Sequence, residues 1–160
     1  MCIRDRVIEG CALRGATSTE QAIEDTWITD AMHKAYVELH KQHYAHSIEV
    51  WQEQQLVGGL YGIALGSTFF GESMFSRVSN ASKLALVSLC EHLKAKGFTI
   101  IDCQVASSHL FSMGAKEITR SKFMQYLAPI KLSSDGLHTS HLIKKEFAQG
   151  IESSLQEFTK

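Results

Sequence analysis

A chain of 160 residues that is 44% hydrophobic is long enough to bury one core and too short for two, so a single globular unit is expected. Its 16 Lys and Arg are balanced by 17 Asp and Glu, a net charge of -1 that excludes the bulk basic footprint of a nucleic-acid binder and leaves only a local patch for such a role. Cys2, Cys11, Cys90 and Cys103 stand singly, without ligand or redox-pair spacing, and no apolar run approaches the ~18 residues of a membrane span. A reduced, cytoplasmic protein with no membrane partner is expected. The histidines form no HExxH pattern, and the recurrence of His33, His40, His43 and His46 reads as a solvated helix face, so neither a metal nor a cofactor is expected.

In chain order, a first helix is read over Ile8 to Arg14, stopped at Gly15, with a Thr-, Ser- and Glu-rich loop to Asp25. Thr29 then caps a helix to about Gln42, with Met32, Ala35, Tyr36 and Leu39 at i, i+3, i+4, i+7. Period-two alternation predicts a strand over Ala45 to Gln52, a turn at Glu53-Gln54-Gln55, and strands over Leu56 to Ala64 and Thr68 to Phe75. The glycines at 58, 59, 62, 66 and 71 mark bulges or close backbone approaches. Asn80 or Ser79 caps a helix with Leu86, Leu89, Cys90 and Leu93 on one face and Gly97 as its stop. That helix supplies the crossover to a buried strand, Phe98 to Val105, parallel to an earlier one. A short helix over His109 to Met113, a strand over Lys116 to Thr119 and a helix over Ser121 to Leu127 follow; residues 129–160 read as a polar tail with a helix near Lys144 to Gln149.

Two carboxylates fall in apolar surroundings, where they are costly unless paired: Glu72 among Phe69, Phe70, Met74 and Phe75, and Asp102 after Phe98, Ile100 and Ile101. On the predicted strand Asp102 and Gln104 share one face, about 7 Å apart, so one pocket can use both. The structural alternative is that Glu72 and Asp102 pair with Arg77, Lys83 or a backbone amide.

The blocks VIEGCA (7–12), TWIT (26–29), HSIEVW (46–51), LVGGLYG (56–62), FFGESMFSR (69–77), NASK (80–83), IDCQ (101–104) and SMGA (112–115) stand in an order that resembles the C-terminal domain of bacterial leucyl/phenylalanyl-tRNA protein transferases, from about Val7 to about Leu127. The resemblance implies an α/β fold of the GNAT type, a mixed sheet with flanking helices, an order that meander, helix and apolar strand also fit. It implies transfer of Leu or Phe from aminoacyl-tRNA to the N-terminal amine of proteins beginning with Arg or Lys, which marks them for degradation, by a monomer without cofactor. On this resemblance Gln104 contacts the reacting amine, Asp102 orients it or relays its proton, and Glu72 holds the cationic first residue of the acceptor. Leu60, Phe69, Met74, Leu86, Leu89 and Ile101 fall where the family binds the Leu or Phe side chain, and Trp27 where an aromatic face stacks on the terminal adenosine. Leu89 stands where many relatives carry an aromatic residue, and Leu110-Phe111 departs from the usual Thr-x-Ser.

Residues 1–6, Met-Cys-Ile-Arg-Asp-Arg, resemble translated adapter sequence rather than the family, so the expected division is a leader at 1–6, a transferase domain at 7–128 and a variable tail at 129–160. A chain lacking the family's N-terminal domain is expected to be impaired as an enzyme. Two rivals differ in class. An acetyl-CoA dependent N-acetyltransferase needs a Gly-containing pyrophosphate loop, and Arg77-Val78-Ser79-Asn80-Ala81-Ser82 has no glycine there. A non-enzymatic module for basic N-termini would use Glu72 and Asp102 without Gln104 or the apolar pocket.

Overall fold

The computed structural model describes residues 5–13 and 28–128. Helix α1 spans Asp5–Ala12, α2 Asp30–Lys41, strands β1 Ala45–Gln52, β2 Gln55–Leu65 and β3 Thr68–Ser76, helix α3 Ala81–Ala95, strand β4 Ile100–Asp102, and helices α4 Ser108–Ser112 and α5 Arg120–Leu127. The strands form one mixed α/β sheet in the order β1-β2-β3-β4, antiparallel through β3 and parallel between β3 and β4. Trp27, the 15–25 loop and everything from residue 129 on lie outside the described residues.

The meander follows from two tight turns. Glu53 and Gln54 both take left-handed backbone, with φ of 48 and 66, as a two-residue hairpin that matches strand twist requires; Gly66, with φ of 56, opens the second turn. Alternation along the strands then divides the apolar side chains between two faces. Leu60 and Phe69 join Ile48 under Leu86, Leu89 and Leu93 of α3, while Tyr61 and Phe75 join Val7, Ile8 and Cys11 of α1 on the other side. The sheet is thus buried on both faces. At Gly58 an added Cβ would lie 2.5 Å from the Cβ of Ala81, so the missing side chain is what lets α3 start directly on β2.

α3 crosses over to bring β4 alongside β3, pairing Thr68 with Ile100, Phe69 with Ile101 and Phe70 with Asp102. Its start differs from the sequence reading. Asn80 occupies the N-cap position with φ of 67, and its side chain makes no capping bond; Ser76 Oγ instead accepts from the Ser82 amide at 3.2 Å and donates to the Val78 carbonyl at 2.8 Å. At α2 the Thr29 Oγ1 does accept from the Met32 amide, at 3.3 Å, but none of that helix's residues is fully buried and Ala35 faces solvent.

Two strand expectations are corrected. The strand read over Phe98 to Val105 is only Ile100–Asp102, because the backbone turns away at Gln104, where φ is 60. No strand forms over Lys116 to Thr119; that segment leads from α4 into α5, and Thr119 is committed to capping α5, accepting from the Lys122 amide at 3.3 Å.

Candidate functional site

Where β4 stops and β3 runs on, the sheet opens into a cavity of about 670 Å³, within the range of small-molecule sites. Its apolar wall is built by β2, β3 and α3: Leu60, Phe69, Leu86 and Leu89 are buried core residues that also face the cavity, joined by Met74 and Ile101. Polar groups lie around them. Glu72, Ser73 and Ser76 come from β3, Ser82 from the start of α3, and Cys103, Gln104, Ser107 and His109 from the segment after β4.

Glu72 reaches this position through an irregularity. Tyr61 pairs with Ser73 but Gly62 pairs with Gly71, so Glu72 is an extra residue on β3, a bulge that re-aims its side chain. The carboxylate is half-buried and lies beside the Tyr36 hydroxyl of α2. Burial first, and then the neighbouring Glu72 carboxylate, push the Tyr36 pKa well above its ordinary value. The Tyr61 ring meets Tyr36 edge to face at 5.1 Å, and burial, followed by the nearby Cys11, Tyr36 and Glu72, raises its pKa as well.

Gln104 lies on the cavity wall, exposed, two residues beyond the end of β4 and in left-handed backbone. Asp102, the last residue of β4, does not line the cavity; its Oδ1 accepts the Gln104 backbone N–H at 2.9 Å. The two therefore do not present side chains from one strand face, since the strand ends between them. Between them the Cys103 thiol is half-buried, its pKa raised by burial first and then by Asp102 and Cys90. The structure thus gathers Glu72, Gln104, Leu60, Phe69, Met74, Leu86, Leu89 and Ile101 on one cavity, leaves Asp102 behind it, and does not describe Trp27.

Residues the sequence reading did not place here include Tyr36, read as a position on an apolar helix face, and His109, whose Nε2 is buried without a hydrogen-bond partner. Tyr61 Oη is likewise buried and unpartnered. Their signal was polar capacity inside otherwise apolar segments. Glu49 of HSIEVW is buried in β1 and accepts from Trp51 Nε1 at 2.9 Å, a bond that holds the strand rather than facing the cavity.

The sequence profile described as leucyl/phenylalanyl-tRNA protein transferase matches residues 4–128. Proteins named leucyl/phenylalanyl-tRNA-protein transferase are 52% identical in Pseudomonas fluorescens over 124 residues (78% of this chain, 53% of the relative) and 58% identical in Chromohalobacter salexigens over 123 residues (77% and 46%). That of Pseudomonas entomophila is 54% identical over 122 residues (76% and 52%). The chain spans about half the length of the curated relatives it matches. With a match across most of its length and a mixed α/β sheet beneath it, this chain belongs to the leucyl/phenylalanyl-tRNA protein transferase family.

Proposed function

We propose that this chain supplies the transfer cleft of an aminoacyltransferase that moves Leu or Phe from charged tRNA onto the N-terminal amine of proteins beginning with Arg or Lys. The observation that carries the reading is the union, on one cavity, of an apolar wall with a carboxylate at Glu72 and an amide at Gln104. An acyl donor with an apolar side chain and an acceptor with a cationic one need those two kinds of surface side by side. A GNAT-type scaffold accords with the antiparallel meander, the α3 crossover and the parallel β4.

The chemistry asks little of acid-base groups. The amine nitrogen attacks the ester carbonyl carbon, the bond to the ribose oxygen breaks, and a proton passes from the nitrogen to the departing oxygen. An aminoacyl ester is already activated, so orientation, worth about 7–11 kcal/mol in favourable cases, outweighs acid-base help of about 10² to 10⁴-fold. In this reading Leu60, Phe69, Met74, Leu86, Leu89 and Ile101 seat the Leu or Phe side chain, and Gln104 accepts a hydrogen bond from the attacking amine. Glu72, beside Tyr36, takes the acceptor's guanidinium or ammonium. Trp27 is assigned to the terminal adenosine by family resemblance.

A coenzyme A enzyme is disfavoured because the segment at the start of α3, Arg77 to Ser82, contains no glycine. The test is transfer of labelled Phe from Phe-tRNA to peptides beginning Arg, Lys or Ala. Labelling of the first two only is expected, and equal labelling of all three would defeat the assignment of Glu72. A puromycin titration separates this reading from a peptide-binding module, which has no place for an aminoacyl nucleoside.

A further inference from the structure

The segment that carries Gln104 into the cavity is held by one side chain. Gln104 adopts φ of 60, left-handed backbone that non-glycine residues rarely occupy and that costs about 1–3 kcal/mol unless its surroundings enforce it. The Asp102 Oδ1 bond to the Gln104 N–H, at 2.9 Å, closes a turn in which a side chain two residues back replaces a backbone acceptor. Val105 N also bonds the Cys103 carbonyl, at 2.6 Å, which tightens the same bend. Cys103, Gln104 and Val105 line the cavity, whereas Asp102 does not.

We propose that Asp102 is a positioning residue: its carboxylate holds the left-handed turn that aims Gln104 into the cavity, and it takes no part in moving the proton. The proposal rests on the reading that Gln104 meets the reacting amine, and it separates two roles that a relay through Asp102 would merge. A turn needs an acceptor oxygen at the end of a short side chain and is indifferent to its charge. A relay needs the charge and tolerates a longer carboxylate.

Asp102→Asn, Asp102→Glu and Asp102→Ala in the full chain distinguish them. Asn keeps the acceptor at the same reach, Glu keeps the charge but overshoots the turn, and Ala removes both. Holding the turn predicts that Asn transfers at least about tenfold faster than either Glu or Ala, the loss falling in kcat rather than in acceptor KM. The pH-rate profile of Asn should also keep the shape of the parent's. Amide hydrogen exchange at Gln104 reads the turn without requiring turnover: slow in the parent and in Asn, faster by about tenfold or more in Glu and Ala. Glu exceeding Asn, three equally impaired variants, or Gln104 exchange independent of residue 102 would each overturn the proposal. Where the parent chain itself transfers nothing, as its expected impairment allows, the exchange measurement still decides the role of Asp102.

Discussion

The Tyr36 hydroxyl of α2 lies beside the Glu72 carboxylate on the bulge of β3, close enough that burial and then the carboxylate raise the tyrosine's pKa. A neutral hydroxyl as neighbour leaves the carboxylate acceptor capacity for a cation.

Glu72→Gln is expected to lower kcat/KM for Arg- and Lys-initiated peptides by about 10- to 100-fold, the scale of a lost charge-assisted hydrogen bond, while slow transfer to an Ala-initiated peptide changes less than threefold. Steady-state kinetics with the three peptides checks it. A uniform loss across all of them would show that Glu72 serves the reaction and not the choice of acceptor.

The two shifted tyrosines predict how stability depends on pH. Both have folded-state pKa values above the ordinary 10.0, so the folded state favours their neutral form. Their contribution is complete below pH 10 and is lost as pH rises from 10 towards the folded-state values, because the unfolded chain releases those protons first. Urea midpoints measured between pH 8 and 11.5 should fall above 10, and the fall should be shallower in Tyr36→Phe/Tyr61→Phe. Equal slopes in parent and variant would remove the tyrosines as its cause.

At the start of α3, Ser76→Ala is expected to cost about 0.5–2 kcal/mol by removing the oxygen that accepts the Ser82 amide, whereas Ser79→Ala should be neutral. Asn80→Gly should be neutral or stabilising, since φ of 67 suits glycine and the Asn80 side chain makes no cap bond. Chemical denaturation of the three variants tests this, and a loss at Ser79 or Asn80 larger than that at Ser76 would contradict it.

Close packing sets a last expectation. Leu89→Ala, at a position with 1% exposure, should cost about 2–5 kcal/mol and enlarge the cavity. Gly58→Ala should be comparably damaging, because the new methyl would sit 2.5 Å from Ala81 Cβ, whereas Gly71→Ala, 3.4 Å from the Asp102 carbonyl oxygen, should be better tolerated. Melting temperatures rank the three. Gly71→Ala melting lowest would indicate that the strand edge is packed more tightly than the geometry implies.

Periodicity made the meander and its crossover legible: the bounds of β1 agree with its alternation from Ala45 to Gln52, and α3 ends at the Gly97 stop. It failed where a single residue departs from the period. Ile100 to Val105 continues an apolar pattern past the point at which the backbone turns, since a positive φ at Gln104 leaves no trace in hydrophobicity. The bulge at Glu72 lies beside Gly62 and Gly71, two of the glycines that mark such sites, but which residue is the extra one shows only against the partner strand. Tyr36 looks like an ordinary helix-face position because the carboxylate it lies beside, Glu72, is a loop and two strands away in the chain. The apolar wall residues were named through family resemblance; composition alone makes each of them a core residue, and in the fold they are core and cavity wall at once.

β4 meets its neighbour through three residue pairs, while β2 pairs along nearly its whole length on both sides. Local hairpins close early in folding, and a parallel partner must wait for its crossover helix. The strand that leads into Gln104 is therefore expected to exchange its amide hydrogens faster than the hairpin strands. Such opening at Ile100–Asp102 would loosen the wall beside Gln104 while the hairpins stay paired, so the strand that shapes the cavity is also the part of the sheet held by the fewest neighbours.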